Sequence, residues 1–470
     1  MPKDPIEKKS KKVKEPFVIP PVPTKPQQCH FYVLRKRRYC GLPARKDLNY
    51  CGEHLNAKPD SEGLPKRIPC PYDNSHTIFE KDLEKHLKSR CNARPRELPV
   101  CHSLNVNCSL PLSDEELEFQ KNIYSHQKMF VQPWLARVQL QELSKEDLDS
   151  IINKVYVAYD AHVAPIPMEQ LTHPSSEKKR DTVKHTKHLD QLSSLMGHME
   201  KNNMLKDKTA CFVEFGAGKG DLSLYVKKAV NEENGEATYL LLDRKSVRNK
   251  TDQTLHGHSE NKSRVQRQLI DIKDLDLSKV ECIADNDKKV VAVSKHLCGC
   301  ATDISLKCLM NYVEAEKSKG HADPIQGIII AICCHQICRY EMYPNQQYLE
   351  LINMSKTEFE RMCKMTSWAT CHSGSTTEKK TDSETTAEDD EHANLNSNDD
   401  QDDNSDKTTN HFSGRDHVER ESIGYKCKRV IDAGRAKYLE QFGFDAKLVY
   451  YVDSATSLEN CALIATPKQQ

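Results

Sequence analysis

From about residue 181 onward, short apolar runs alternate with segments of helical period. The runs are Cys211–Phe215, Tyr239–Leu242, Val290–Val293 and Gly327–Ile332, followed late by Ala446–Val452 and Cys461–Ala465. Short continuous apolar runs between helical stretches suit strands covered on both faces, so the pattern predicts a doubly wound α/β sheet. The last two runs are joined by a short turn region and predict an antiparallel pair closing one edge. Upstream, within 113–156, Leu140, Leu143, Leu148, Ile151, Ile152 and Val155 fall on one side of a helix. Ser144 followed by Asp147 is a capping signal for its second half.

Two stretches lack any such pattern. Residues 1–28 are rich in Lys and Pro. A segment at about 373–415, with Glu388-Asp389-Asp390-Glu391 and Asp399-Asp400, has almost no apolar residues. Both are expected to be disordered, because neither can bury enough surface to offset ordering. Residues 29–92 carry Cys and His at regular intervals with too little apolar material for a core of their own. The expected division is a basic tail (1–28), two small modules (29–56 and 66–93), a partly helical linker (94–180) and an enzyme-sized domain (181–470) holding the acidic insertion. No internal repeat is detected.

Composition sharpens this. Of 470 residues, 37% are hydrophobic and 29% charged, which suits a real core diluted by solvated segments. Formal net charge is zero and implies no partner. Its distribution says more: Lys8, Lys9, Lys11, Lys12, Lys14 and the run Arg35-Lys36-Arg37-Arg38 lie early, and acid concentrates late. The start, MPKDPIEKKSKKVKEP, has no apolar stretch, and no run is long enough to span a bilayer. An intracellular protein, nuclear or cytoplasmic, is expected, and its 19 cysteines then serve metal binding or packing rather than disulfides. The basic tail suits a nuclear address or a merely disordered segment.

The first cysteine constellation is Cys29-x10-Cys40-x10-Cys51-x2-His54, a complete tetrahedral set for Zn²⁺. Phe31, Tyr32, Tyr39 and Tyr50 interleave with its basic run. The second is Cys70-x5-His76-x9-His86-x4-Cys91, with His86 on a helix beginning near Phe79 whose inner face carries Leu83 and Leu87. It resembles the CHHC finger of minor-spliceosome and tRNA-methyltransferase proteins. That family usually places three residues between the last His and Cys, where four stand here, and Cys101 is the alternative fourth ligand. His102 and Cys108 are left unassigned. Both modules read as structural zinc sites, two in all. Basic and aromatic residues beside a rigid metal fold suit RNA contact, with protein docking the competing use.

The segment CFVEFGAGKGDLSLYV reads as strand, glycine turn and helix, with Glu214 before Gly216, Gly218 and Gly220. A dinucleotide site competes, but its third glycine would fall where Asp221 stands. An acidic residue followed by G-x-G-x-G instead resembles motif I of the Rossmann-like methyltransferases. Asp243 ends the next strand, TYLLLDR, and suits the two ribose hydroxyls of S-adenosylmethionine. Asp271, in QRQLIDIKDL, stands where that pattern expects a group facing the adenine.

Two further strand ends are loaded. VVAVSKHLCGCATD supplies Lys295, His296, Cys298 and Gly299, and GIIIAICCHQICRY supplies Cys333, Cys334 and His335. In an open α/β sheet such ends border the ligand crevice. A ribose 2′-hydroxyl is a poor nucleophile, so Lys295, with its pKa lowered by burial, or a neutral His296 or His335 can take its proton. Lys295 can alternatively orient the oxygen as a charge. Zinc binding by Cys298, Cys333, Cys334 and His335 is a rival idea. Packing is favoured over it, as it is for Cys300 and Cys338, because adjacent cysteines chelate awkwardly.

CFVEFGAGKG, SKHLCGCATD, AICCHQIC, MTSWATC and YYVDSATSLENCALIA, with both cysteine modules, resemble the eukaryotic tRNA 2′-O-methyltransferase family acting on the fourth nucleotide of the acceptor stem. The likeness runs from Cys29 to Ala465 and is weakest across 95–180 and the acidic insertion. It implies methylation of cytidine or adenosine at position four of certain tRNAs, with S-adenosylmethionine as donor and no obligate protein partner or membrane. Glu214, Gly216 and Gly218 match the family's glycine turn, and Lys295–Gly299 and Cys333–His335 its two other segments. Cys300 replaces the usual Met. The alternatives are a methyltransferase acting on another RNA, a base or a protein, and a non-catalytic RNA-binding or spliceosomal adaptor.

Overall fold

The computed structural model describes residues 19–44, 49–57, 66–91, 94, 97–117, 138–177, 186–230, 236–244, 251–256, 263–284, 288–370 and 411–468, apart from 24, 26, 35, 36 and 115. Most of the basic tail, the first part of the expected linker helix and all of the acidic insertion before 411 lie outside these residues. The chain divides into two compact units, one built on residues 1–97 and the other on 98–119 and 131–470.

The first unit has two hairpins. β1 (Tyr32–Val33) pairs with β2 (Arg38–Tyr39), and β3 (Arg67–Cys70) with β4 (Asp73–Phe79), both antiparallel. A short turn of helix, Gly52–Ala57, carries His54. Cys29, Cys40 and Cys51 are the buried centre of the first hairpin, covered by Phe31, Val33 and Tyr50. After β4 the chain turns helical from Glu80, and Leu83, His86 and Leu87 are its half-buried face. Glu53 links the two modules, accepting from Arg67 Nη2 at 2.5 Å and Thr77 Oγ1 at 2.9 Å.

The second unit is α/β. Its longer helices are α1 (Lys145–His162), α2 (Lys187–Lys201), α3 (Asp221–Val230), α4 (Cys300–Ser318), α5 (Lys356–Met365) and α6 (His417–Glu440). Its strands are β5 (Cys211–Phe215), β6 (Thr238–Asp243), β7 (Arg264–Leu269), β8 (Val290–Cys298), β9 (Ile325–Cys333), β10 (Phe444–Tyr450) and β11 (Cys461–Pro467). They form one sheet in the order β10-β11-β9-β8-β5-β6-β7. β5 to β9 run parallel to one another, and β11 lies antiparallel between β9 and β10. The expected edge pair is therefore present. β7 (RVQRQL) was not among the apolar runs because it is an edge strand, half-buried at every position.

Alternation along β5 sorts side chains to the two faces. Cys211, Val213 and Phe215 pack with Ile304, Leu306, Leu309 and Val313 of α4. Phe212 packs with α2 (Leu192, Leu195, Met196) and α3 (Leu222, Val226). A third cluster joins Leu148, Ile151, Ile152 and Val155 of α1 to Phe359 and Met362 of α5 and to Ile423, Val430 and Ile431 of α6. α1 begins after Ser144, whose hydroxyl accepts from Asp147 N at 3.0 Å, so the capping signal is realised; Leu140 and Leu143 precede the helix.

Part of the stretch expected as a linker is described. Residues 98–117 are built into this unit, because Cys101 is buried in its core and Asn107 Nδ2 donates to Ile272 O (2.6 Å) and Leu275 O (2.7 Å). No helix among the described residues is long and apolar enough to cross a membrane.

Candidate functional site

The order of the sheet reverses between β5 and β8: the chain runs outward from β5 through β6 to β7, then returns to the other side. A crevice at the carboxyl ends is expected at such a switch. The glycine turn lies there, and Gly216, Gly218 and Gly220 all take positive φ, at 66°, 50° and 94°. A Cβ on Gly220 would stand 2.6 Å from Leu241 Cδ2 and 2.7 Å from Thr251 Oγ1, so packing also demands glycine there. A Cβ on Gly218 would meet nothing within 4 Å; that backbone faces open space.

The turn is fixed by its surroundings. Asp243 Oδ2 accepts from Gly218 N at 2.8 Å. Arg267 donates to Gly218 O (2.8 Å) and Lys219 O (3.2 Å) while paired with Asp252, and Thr251 Oγ1 donates to Gly220 O at 3.0 Å. Glu214 is buried beneath the turn and accepts from the backbone N–H (2.9 Å) and hydroxyl of Ser223 on α3. Burial pushes its pKa up to about 7 against those two bonds. It braces strand to helix. Asp271 follows β7, and its Oδ1 accepts from Lys273 N at 3.1 Å, capping the turn Ile272–Asp274.

Beside the turn, β8 bulges. Ser294 pairs with Ile330 and Leu297 with Ile332, so Lys295 and His296 together oppose a single residue of β9. Bulges of this kind re-aim side chains. The bulge abuts the glycine turn, since a Cβ on Gly216 would lie 3.2 Å from His296 O. Lys295 is buried, with Nζ 2.5 Å from His188 Nδ1, and burial lowers its pKa from the ordinary lysine value to about 8, partly opposed by Asp221. His296 is exposed, its ring parallel to that of His188 with centroids 6.5 Å apart. Lys295, His296 and His188 thus form one group.

His335 has a different setting. It is fully buried, with Nε2 2.8 Å from Asp432 Oδ1 on α6, and Nδ1 has no hydrogen-bond partner among the described residues. Arg435 extends this network, reaching Asp432 (2.9 Å), Asp303 (2.8 Å) and Gly299 O (3.2 Å). The ring holds the β9 end to α6.

Cys298, Cys333 and Cys334 come together, with their three sulfurs within 4.8 Å of one another. Cys338 is buried in packing, as expected, with Arg435 Nη2 at 3.1 Å.

In the first unit, both ligand sets converge. The Sγ atoms of Cys29, Cys40 and Cys51 with a ring nitrogen of His54, and those of Cys70 and Cys91 with His76 and His86, each lie within 4.8 Å. His54 Nδ1 is 3.3 Å from Cys51 Sγ and 3.6 Å from Cys29 Sγ, with its ring stacked on Phe31 at 3.9 Å. His86 Nε2 is 3.3 Å from Cys70 Sγ, which is 3.5 Å from Cys91 Sγ. The extra residue before Cys91 is absorbed by a wide final helical turn, His86–Arg90. Cys91 is thus the fourth member of the set and Cys101 lies in the other unit.

A family model described as "Methyltransferase TRM13" matches residues 190–466. The chain belongs to the TRM13 methyltransferase family. Two further models match the amino end of this TRM13 chain, the "CCCH zinc finger in TRM13 protein" over 27–55 and the "U11-48K-like CHHC zinc finger" over 67–92. The chain is 32% identical to the Mus musculus "tRNA:m(4)X modification enzyme TRM13 homolog", covering 94% of each. It is 33% identical to the "tRNA:m(4)X modification enzyme TRM13" of Schizosaccharomyces pombe, over 85% of this chain and 95% of that protein. No solved structure gives a significant match. Within this TRM13 fold, sequence reasoning missed His188, Arg267, Thr251 and Asp432. Each sits far along the chain from the motif it supports, and none stands in a motif of its own.

Proposed function

We propose that this protein transfers a methyl group from S-adenosylmethionine to the ribose 2′-hydroxyl of the fourth nucleotide, cytidine or adenosine, in the acceptor stem of certain tRNAs. The observation that carries the reading is the placement of buried Lys295 on a strand bulge that abuts the glycine turn. Family membership and the names of its relatives supply the substrate class. The switch between β5 and β8 and the glycine turn support a Rossmann-like cofactor domain.

The residues present fit the donor. Gly218 leaves open space where a ligand can lie against backbone, Asp243 closes the β6 end of the same crevice, and Asp271 ends β7 beyond it. S-adenosylmethionine, when bound there, supplies an electrophilic methyl group on a sulfonium. The protein's part is to hold the 2′-oxygen in line and take its proton. Lys295 Nζ is suited to accept that proton, because at about pH 8 half of it is neutral. His188 borders Nζ and can pass the proton on to solvent through its exposed ring. His296 sits at the mouth, placed to meet the RNA.

The two convergent ligand sets read as structural Zn²⁺ sites, with Cys29, Cys40, Cys51 and His54 in one and Cys70, His76, His86 and Cys91 in the other. They divide the chain into modules at 29–56 and 66–93, ahead of an enzyme domain that includes 98–117. A nuclear or cytoplasmic location, where tRNA is processed, goes with this reading. The test is incubation of the purified protein with tRNA and labelled S-adenosylmethionine, followed by digestion to nucleosides. A labelled 2′-O-methylnucleoside is expected. Label confined to a methylated base, or in protein, would refute it.

A further inference from the structure

Cys298 and Cys333 are register partners at the ends of the parallel strands β8 and β9, with sulfurs 3.6 Å apart. Strand alternation would send the next residue, Cys334, to the opposite face. It does not go there. Cys334 takes a left-handed conformation, φ 52° and ψ 45°, and its sulfur joins the other two within 4.8 Å. Non-glycine residues adopt that backbone at an energetic cost, and such outliers persist where the surroundings impose them. Gly299, directly after Cys298, makes the approach possible. Its φ is 50°, and a Cβ there would stand 2.7 Å from Cys334 O. The fold therefore bends two chain segments to converge three thiols.

All three cysteines are free and half-buried, so an ion can reach them. A sulfur separation of 3.6 Å is far from a disulfide bond of about 2.05 Å. It is close to the edge of a tetrahedron with Zn–S bonds of about 2.3 Å. The second finger shows the same spacing, 3.5 Å between Cys70 and Cys91. His335 does not complete the set: the converging ligand atoms are the three sulfurs alone, and its ring is not among them. We infer that Cys298, Cys333 and Cys334 form a third metal site, a three-thiolate site for Zn²⁺ with one coordination position open to a non-protein donor. A set of three sulfurs selects soft or borderline ions over Mg²⁺ or Ca²⁺. The open position sets it apart from both fingers, whose four protein ligands close them.

This inference depends on neither the methyl donor nor the RNA. The test compares the zinc content of the full-length protein, purified under reducing conditions, with that of Cys298→Ser and Cys334→Ser, in which both finger sets stay intact. Each variant is expected to hold one zinc equivalent fewer than the parent. On loading with Co²⁺, each is expected to lose one third-site share of the thiolate-to-metal absorption. A thermal melt identifies a variant that fails to fold, in which case the other decides. Equal zinc content in the parent and the folded variants would overturn the inference. So would thiol counting that finds two of these cysteines joined as a disulfide in the native protein.

Discussion

Lys295 Nζ lies 2.5 Å from Nδ1 of His188, a residue 107 positions earlier in the chain. At that distance a neutral imidazole can accept a hydrogen bond from the ammonium. Burial lowers the Lys295 pKa to about 8, partly opposed by Asp221.

The pH dependence follows from that. A base must be neutral to accept a proton, so the methyl-transfer rate is expected to rise with pH and level off above about 8. Single-turnover rates across pH 6 to 10 measure it (roughly spanning the titration range). Lys295→Ala is expected to lose on the order of 10²- to 10⁴-fold in rate, the usual share of general-base catalysis, with cofactor binding retained by calorimetry. In His188→Ala, an imidazole that accepts from the ammonium is gone, so the midpoint should move to lower pH. A pH-flat rate in the parent protein would remove Lys295 from the role.

Gly218 separates stability from ligand binding. Its φ of 50° makes Gly218→Ala cost about 1–2 kcal/mol in folding, although the added Cβ meets no protein atom within 4 Å. That Cβ would enter the space assigned to the cofactor. Calorimetric affinity for S-adenosylmethionine should therefore fall by more than the loss in stability explains. Affinity unchanged in a folded variant would mean that the cofactor lies elsewhere.

Asp432 is the anchor of the buried network beneath the β9 end. Burial alone would raise its pKa, but His335, Arg429 and Arg435 overcome this and hold it well below the usual carboxylate range. The stability it contributes is therefore fully present above the unfolded carboxyl pKa of about 4 and is lost as pH falls further. Asp432→Asn leaves cationic partners buried and is expected to cost about 3–5 kcal/mol in chemical denaturation at neutral pH. A loss of rate without loss of stability would instead indicate that His335 acts in the chemistry.

The carboxyl-end chemistry was partly legible in the sequence, for reasons that differ by residue. Cys211–Phe215 and Val290–Val293 announce buried strands because both faces are covered, whereas β7 is an edge and carries no apolar signature. Lys295 could be placed beside the glycine turn from strand order alone. His335 could not be placed, since a strand end has two faces and only the fold shows that Asp432, across the acidic insertion, claims the ring. His188 lies in the first turn of α2 and Arg267 lies within β7, with no local pattern marking either. Adjacent cysteines look like poor chelators in an extended chain. The left-handed turn at Cys334 instead brings its sulfur to those of Cys298 and Cys333.

Apart from Leu55, the buried apolar residues described in the first finger are the ligands Cys29, Cys40 and Cys51 themselves. Metal binding is then the main source of its folding free energy. Cys40→Ala is expected to release one zinc equivalent by elemental analysis and to weaken tRNA binding, with cofactor affinity unchanged. Full tRNA affinity after loss of that ion would assign the finger to protein docking.

The most direct measurement uses tRNA carrying a single 2′-deoxynucleotide at position four, every other ribose being left intact. Methyl incorporation from S-adenosylmethionine is expected to fall to background, while unmodified tRNA is labelled under the same conditions. Undiminished labelling of the deoxy-substituted tRNA would contradict transfer to that hydroxyl.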